Sequence, residues 1–247
     1  MLRLTPILLI LALLMVSCEG DTSEADIEPL ELLTEAAENI RAADTFRLYV
    51  EQTGASYFIP IYLGADIVNV EFRFARAQYV APDVISATAR IVTIGLALDA
   101  EIFSRDDDQW YRIPAGAGPW INADFAPGFN PASLIAEDSG FQAALTALLE
   151  LEYIGEETLE DGTPVYHLKG IANGPDVTAL VVGLIDAQAD VPVDVYINRE
   201  NRYPVRLVLT QPETITADEP EPTTWTIDVF DVDAASEIEA PDGETVP

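Results

Sequence analysis

The first apolar pattern along the chain is that of a helix. Pro29 suits a first helical turn, where its missing N–H group costs nothing. Apolar residues then recur at steps of three and four, at Leu30, Leu33, Ala37 and Ile40. The pattern predicts one amphipathic helix that begins near Glu28.

From Thr45 the apolar period changes to two, which is the period of a strand with one buried face. Short turns, such as those at Gly95, Asp106 to Asp108, and Asp161-Gly162, separate the alternating segments. We therefore predict an antiparallel meander in a single α+β domain over residues 28–233. The predicted strands cover residues 46–50, 68–74, 85–91, 98–102, 110–113, 152–168 with its turn, 191–197, 205–209 and 225–229.

The middle of the chain breaks the alternation. Residues 115–129 are rich in Gly, Ala and Pro but include Trp120, Phe125 and Phe129, which predicts a loop with apolar side chains. Asn130 and Ser139 each suit the N-cap of a short helix, and a further helix is predicted over residues 177–184. The helix that follows Ser139 is predicted to contain Phe141, Leu145, Leu148 and Leu149. Residues 234–247 are predicted to be a frayed acidic tail.

Composition excludes several classes of partner. The chain has 43 acidic residues against 12 lysines and arginines, a formal net charge of −31. Binding to nucleic acid requires a clustered basic surface, so we expect no nucleic-acid partner. The same charge would repel an anionic membrane surface. Adaptation of the whole surface to a saline medium is an alternative explanation of the acidity.

The N-terminus has the layout of an export signal. Arg3 precedes an apolar run over residues 7–16, and small Ser17 stands before Cys18, the only cysteine. The run is shorter than the roughly 20 residues of a transmembrane helix. Met15-Val16-Ser17-Cys18 resembles the bacterial lipobox, although Met stands where Leu is usual. We therefore expect a signal peptide over residues 1–17 and a flexible acidic spacer over residues 18–27.

The lipobox resemblance implies that Cys18 carries the membrane anchor. Its thiol would receive a diacylglycerol, and its new amino group a further acyl chain such as palmitate. Several chains anchor a protein stably, whereas one is marginal at about 0.8 kcal/mol per buried CH₂. We expect an exported monomer, anchored on the outer face of the bacterial cytoplasmic membrane, in the cell envelope or periplasm.

The residues give little support for catalysis. His167 is the only histidine, and it alternates with the inward candidates Tyr166 and Leu168, which predicts that it points to solvent. The sequence contains none of the GxSxG, HExxH, CxxC, GxxxxGK or GxGxxG motifs. Asp106 to Asp108 suits a solvated turn better than a calcium loop. We expect no enzyme, metal or cofactor.

Several segments carry a resemblance to a known family. These are the stretch from Pro131 to Leu149, the GEET strand at 155–158 followed by YHL at 166–168, and the hairpin ending in Pro204-Val205-Arg206. Together with the order of elements, they resemble the LppX/LprA/LprF/LprG family of bacterial lipoproteins from about Leu30 to Val232. The resemblance implies a strongly curved antiparallel half-barrel with helices packed on its concave side. It also implies a large apolar cavity in the interior, with the helices packed around it, that binds acylated lipids and glycolipids for transfer to or through the envelope.

The alternating residues are compatible with a cavity of this kind and equally with a filled core, because every sheet buries alternating aliphatic side chains. The loop at Trp120 and Phe125 could be a mobile lid or a static plug. The candidate cavity residues are Val68, Val70, Phe72, Phe74, Ile91, Leu98, Ile102, Trp120, Phe125, Leu134, Phe141, Leu145, Leu148 and Leu149.

Three classes of function remain at this stage. The first is lipid binding and transport, which the resemblance favours. The second is an envelope scaffold or sensor module that uses the curved sheet as a docking surface without transport. The third is a hydrolase, which would require activity that depends on one Ser, Asp or His167.

Overall fold

The computed structural model describes residues 28–63, 66–114, 118–175, 177, 185, 187–234 and 237–246. The predicted signal peptide, Cys18, the spacer and all of the predicted 177–184 helix except Val177 lie outside these ranges. The helices are α1 (Pro29–Arg41) and α2 (Gly140–Thr146). The strands are β1 (Thr45–Thr53), β2 (Phe58–Leu63), β3 (Asp66–Val80), β4 (Val84–Thr93), β5 (Leu96–Arg105), β6 (Asp108–Arg112), β7 (Ile121–Asn122), β8 (Leu149–Thr158), β9 (Pro164–Ala172), β10 (Val191–Asn198), β11 (Pro204–Gln211), β12 (Thr223–Phe230), β13 (Ile238–Glu239) and β14 (Thr245–Val246).

Twelve of these strands form one antiparallel sheet, so the predicted α+β class and antiparallel meander are confirmed. The order is β7-β6-β5-β4-β3-β1-β12-β11-β10-β9-β8, and β2 pairs with β3 beside β1. Within the described ranges β7 and β8 are the two edges, so the sheet is open. Consecutive strands are neighbours almost throughout, as short connections require.

The strand β2 is absent from the sequence prediction because Pro60 interrupts its apolar alternation. Proline removes a backbone donor and is confined to edge strands or bulges. In the described sheet β2 pairs only with β3, with Pro60 opposite Asn69. Ile59 and Ile61 on either side of the proline face the core, and Ile59 is buried.

One face of the sheet, called here the inner face, packs against both helices. The buried residues of α1 are Leu32, Leu33, Ala36, Ala37 and Ile40. Leu30, predicted to lie on this apolar face, is instead 51% exposed in the first turn. On α2, Phe141 stacks edge-on against Phe46 of β1 with ring centroids 6.0 Å apart. The helices and sheet therefore share one apolar core.

A β-bulge reverses the faces of β3. The β3–β4 register shifts between Phe72 and Phe74, so two positions of β3 oppose one on β4. Val70 and Phe72, before the bulge, are buried on the inner face. Tyr79, after the bulge, is buried on the same face although it lies an odd number of residues from Phe72. Phe74 therefore lies on the opposite, outer face, where Arg76 and Arg90 cover its ring at 5.0 and 5.7 Å.

A second, smaller core lies on the outer face. Val80, Val84 and Phe103 contact Ile238 and Ala240 of the C-terminal segment. In this segment β13 and β14 form a hairpin, with Ile238 only 3% exposed. The expectation that the C-terminal residues fray is therefore wrong for residues 237–246, because one isoleucine and one alanine fill an apolar site on the sheet.

The predicted loop before the second helix is fastened to the sheet by a buried glutamine. The side-chain Nε2 of Gln109 in β6 donates to the carbonyl oxygens of Ala126 and Phe129, at 2.8 and 3.4 Å. Its Oε1 accepts from the Ala126 N–H at 2.9 Å. Gln109 is 2% exposed, so these bonds satisfy a buried amide and hold the loop over residues 123–129 in place.

The short helical segments that follow depend on one glycine. Asn130 caps the 3-10 helix Pro131–Leu134 as predicted, its Oδ1 accepting from the Ala132 N–H at 2.9 Å. Ser139 occupies the N-cap of α2, but its hydroxyl donates to the carbonyl of Ser133 instead of capping the helix. Gly140 has φ +56°, and a Cβ there would lie 2.2 Å from the carbonyl oxygen of Leu134. Only glycine fits this contact.

The first prediction concerns the C-terminal hairpin. Replacing Ile238 by alanine should lower the free energy of unfolding by about 2 to 3 kcal/mol, because a buried aliphatic side chain is lost from the outer core. Glu239→Ala, at the exposed neighbouring position, should change it by less than about 0.5 kcal/mol. Chemical denaturation of both variants measures the difference, and equal values would contradict the buried position of Ile238.

The second prediction concerns Gln109. In Gln109→Leu the Ala126 N–H loses its partner, a cost on the order of 1 kcal/mol, so its hydrogen exchange should become roughly tenfold faster. The Ala123 N–H is the internal control, because it donates to the backbone carbonyl of Gln109, which the substitution retains. Exchange that rises equally at both amides would indicate general unfolding and contradict a local fastening.

Candidate functional site

Most of the predicted cavity residues do meet at the inner face. Six of the fourteen are buried in the common core, and they come from β3, the 3-10 helix, α2 and the residues just after α2: Val70, Phe72, Leu134, Phe141, Leu145 and Leu148. Val68, Ile91 and Ile102 are half-buried and pack against this core. Leu98 is half-buried opposite Ile91. The sheet alternation and the two short helices thus bring these side chains together.

Three predicted cavity residues lie elsewhere. Phe74 is on the outer face because of the bulge, and Trp120 packs against the outer core beside Arg112, whose guanidinium lies 4.6 Å from its ring centroid. Leu149 is 61% exposed at the start of β8. The sequence reasoning assigned Leu149 to the preceding helix, but α2 ends at Thr146, so Leu149 falls out of the helical period.

An apolar cavity lies between α2 and the sheet. Its volume is about 10 Å³, close to that of one water molecule, whereas pockets for small ligands measure about 300–1,000 Å³. At this place beneath α2, the described side chains are therefore closely packed. The cavity is lined by Ala144, Leu145, Leu148, Ala172, Val177, Val193, Leu207 and Leu209.

Six of these lining residues were absent from the sequence-based set of cavity residues: Ala144, Ala172, Val177, Val193, Leu207 and Leu209. The signal that identifies the last three was present, because Val193 of β10 and Leu207 and Leu209 of β11 alternate cleanly with polar neighbours. Alternation identifies a buried face but not which part of the sheet lies beneath α2. That choice depends on the tertiary contacts of a short helix.

The aromatic loop closes one part of the inner face. Phe125 is 9% exposed and meets Tyr111 edge-on, with ring centroids 6.0 Å apart. Its carbonyl oxygen also accepts from the Tyr62 N–H of β2 at 3.4 Å. Phe125 thus contacts both β6 and β2. A ligand that enters the inner face between these two strands must displace it.

His167 is buried, contrary to the expectation that it points to solvent. It does lie opposite the core residue Leu168 on the outer side of β9, but it is only 6% exposed. Its ring stacks on Tyr196 with centroids 4.4 Å apart, and its Nδ1 and Nε2 lie 2.7 and 2.6 Å from carboxylate oxygens of Glu157 and Asp194. Both ring nitrogens are therefore engaged by acids, which leaves neither as a base for a nucleophile.

Two polar side chains of the inner core, Trp225 and Tyr79, make hydrogen bonds that suit a structural role. The Trp225 indole N–H donates to Oε1 of buried Gln211 at 3.0 Å. The hydroxyl of Tyr79 donates to the carbonyl of Pro82 at 2.6 Å, and burial raises the pKa of this tyrosine. Tyr79 therefore stays neutral at physiological pH.

Neither a metal site nor a membrane-spanning helix is found in the part of the chain that the structure describes. No group of three or more His, Cys, Asp or Glu side chains there is arranged to hold a metal ion. Asp106 and Asp107 form the β5–β6 turn, as the sequence predicts. None of the described helices has the length and apolar character needed to cross a membrane.

Comparison with solved structures identifies the fold. The crystal structure of LprF from Mycobacterium bovis aligns over 86% of this chain and 96% of its own, with a TM-score of 0.61 and 12% sequence identity. The lipoprotein LppX of Mycobacterium tuberculosis aligns over 84% of this chain and 96% of its own, with a TM-score of 0.54 and 13% identity. At these identities the likeness concerns the fold alone.

Comparison with curated proteins gives no match. The family comparison is positive, and its match extends over residues 28–235, from the start of α1 to just beyond β12. It includes every segment on which the sequence resemblance was based. The chain belongs to the LppX_LprAFG lipoprotein family.

Proposed function

We propose that the domain binds an acylated lipid or glycolipid between its helices and the inner face of the sheet, and carries or presents it in the cell envelope. The observation that supports this most directly is the wall beneath α2, which consists entirely of Ala, Val and Leu side chains. Such a wall offers no group for polar recognition or catalysis. It suits hydrocarbon, whose burial gains about 25 cal/mol per Å² without directional contacts.

Because the described side chains leave little space beneath α2, an acyl chain that binds there must separate this helix from the sheet. The element best suited to move is α2, whose seven residues are too few for a stable isolated helix. It is held by Phe141, Ala144 and Leu145, which contact apolar neighbours. An entering acyl chain would replace these contacts by equivalent apolar ones. Separation of α2 from the sheet would therefore exchange one apolar contact surface for another.

The proposed function includes attachment at Cys18 after removal of residues 1–17. Nine residues lie between this cysteine and Glu28, and the ten steps from Cα to Cα span at most about 35 Å when fully extended. The domain would therefore work close to the outer surface of the cytoplasmic membrane. The large negative charge makes acyl chains, rather than basic residues, the means of attachment.

Lipid binding is tested by two neighbouring leucines. Leu148→Gln places a polar amide in the apolar wall, whereas Leu149→Gln alters an exposed position one residue away. Protein from a membrane-competent host should contain co-purified lipid, and Leu148→Gln should reduce the lipid-to-protein ratio roughly tenfold while Leu149→Gln leaves it unchanged. Lipid extraction with mass spectrometry measures the ratio, and circular dichroism verifies the fold of each variant.

The outcome separates the two binding classes. Native protein that contains no lipid, and that crosslinks instead to an envelope protein, would refute lipid binding and support the scaffold interpretation. A lipid-to-protein ratio that falls equally in both leucine variants would place the ligand outside the wall beneath α2.

Attachment is tested at the cysteine. In the full chain, Cys18→Ser should move the protein from the membrane fraction to the aqueous phase on detergent phase partitioning, or leave an unprocessed precursor, because the acyl chains are lost. Mass spectrometry of the purified wild-type protein should show a mass that begins at Cys18 and carries acyl groups. A wild-type mass that corresponds to an unmodified cysteine would contradict the anchor.

A further inference from the structure

One end of the sheet exposes a group of large apolar side chains. They belong to the β2–β3 hairpin and the β4–β5 turn, and we call them the apolar tip: Phe58, Tyr62, Ile67, Ile94 and Leu96. Ile94 is 92% exposed, Ile67 60%, Leu96 58%, Phe58 57% and Tyr62 37%. An ordinary protein surface exposes single, scattered apolar residues. Here five large ones lie close together in two adjacent hairpins.

The strand register places these residues together. Phe58 pairs with Glu71, which pairs in turn with Val92, two residues before Ile94. Tyr62 pairs with Ile67, and Leu96 pairs with Thr93 across the turn. Phe58 therefore lies one residue short of the β4–β5 turn, Ile94 and Leu96 lie at the turn, and Tyr62 and Ile67 lie beyond it.

Both faces of the sheet are apolar at this end. Phe58, Tyr62 and Ile67 alternate with core residues and so project from the outer face. Leu96 has the strand phase of Leu98 and Ala100, which belong to the inner face. A protein that docks on one face of the tip would leave the other exposed, whereas a lipid layer surrounds an inserted tip on all sides.

The tip is also depleted of charge. Residues 58–63, 66–70 and 91–98 contain one charged residue, Asp66, although 22% of the chain is charged. Next to the tip along the strands, each acid has an arginine partner: Glu71 with Arg73 at 2.7 Å, Asp99 with Arg90 at 2.5 Å, and Glu101 with Arg112. In a chain of net charge −31, this end therefore carries a single charge outside these pairs, that of Asp66.

The pair of Arg90 and Asp99 stays ionised as the pH falls. The hydrogen bond from the Arg90 guanidinium lowers the pKa of Asp99, so this carboxylate stays charged and paired with its arginine. Outside the three pairs, the only charge that these segments present to an electroneutral surface is that of Asp66.

Ile94 has no role in folding that would explain its presence. It occupies a left-handed backbone conformation with φ +46°, followed by Gly95 with φ +78°. A two-residue hairpin turn of this kind favours Asn-Gly, and a β-branched residue is strained there. The position therefore has an exposed apolar side chain where a polar one would fold more easily.

We propose that the apolar tip inserts into the surface of an electroneutral lipid bilayer. Apolar side chains on both faces enter the boundary between headgroups and acyl chains, and the paired ions adjacent to them lie at the headgroup level. Docking at this end orients the long axis of β3 toward the membrane. The proposal goes beyond lipid binding in the interior and does not depend on it.

The test uses the full chain, reconstituted in phosphatidylcholine vesicles, with an environment-sensitive fluorophore on Leu96→Cys. The matched control is Phe230→Cys, which is 40% exposed at the opposite end of the sheet. Both variants have the same N-terminus, so their attachment to the vesicle is equal, and the labelled parent chain corrects for any reaction of Cys18. Spin-labelled lipid should quench the fluorophore at position 96 roughly threefold more than at position 230.

A second variant separates insertion from folding. Ile94→Asn suits the turn, so it should keep or raise the melting temperature while reducing the quenching at position 96 toward the value at position 230. Equal quenching at both positions would overturn the proposal. The proposal would also be overturned if, without vesicles, the fluorophore at position 96 became more shielded as the protein concentration rises. That result would identify a second copy of the chain as the occupant.

Discussion

The contact between two short helices and one face of a large sheet is the interaction on which the rest of the structure depends. The antiparallel ladders satisfy the backbone of the strands, but they leave the apolar inner face to be covered by other elements. The residues that cover it are Leu33, Ala37 and Ile40 of α1, and Phe141 and Leu145 of α2. Since α2 has only seven residues, its helical state depends on this contact rather than on its own propensity.

The same contact links stability to the proposed ligand. The side chains that hold α2 on the sheet would also form the wall for an acyl chain, so the folded core and the binding surface compete for the same area. A small void beneath the helix shows where this packing is least complete. The aromatic loop adds a second restraint, because the buried amide of Gln109 and the backbone bond between Tyr62 and Phe125 fix its position.

The strand alternation predicts most of the sheet, because each strand contacts the core on one face and residues of period two mark that face. Local breaks in the period are where prediction failed. A bulge reverses β3 and moves Phe74 outward, and Pro60 conceals β2. Both features depend on how the strand pairs with its neighbour. The apolar period along a single segment carries no information about that pairing.

The candidate site was predictable to a similar extent. Phe141 and Leu145 of α2 are buried in the core as their helical spacing predicts, and Leu148 is buried just after the helix, whereas Leu149 was assigned to the wrong element. Burial of His167 results from Glu157, Asp194 and Tyr196, which come from strands on either side of it. Polar residues that bury one another across strands leave no hydrophobic signal in the sequence.

The exposed edge strand β8 has a consequence for association between copies of the protein. Within the described sheet β8 pairs only with β9, and its free side could extend the ladder of a neighbouring molecule. This strand includes Glu150, Glu152, Glu156 and Glu157. Edge-to-edge joining of two molecules would crowd these carboxylates together, so mutual repulsion protects the sheet from growing into a fibre.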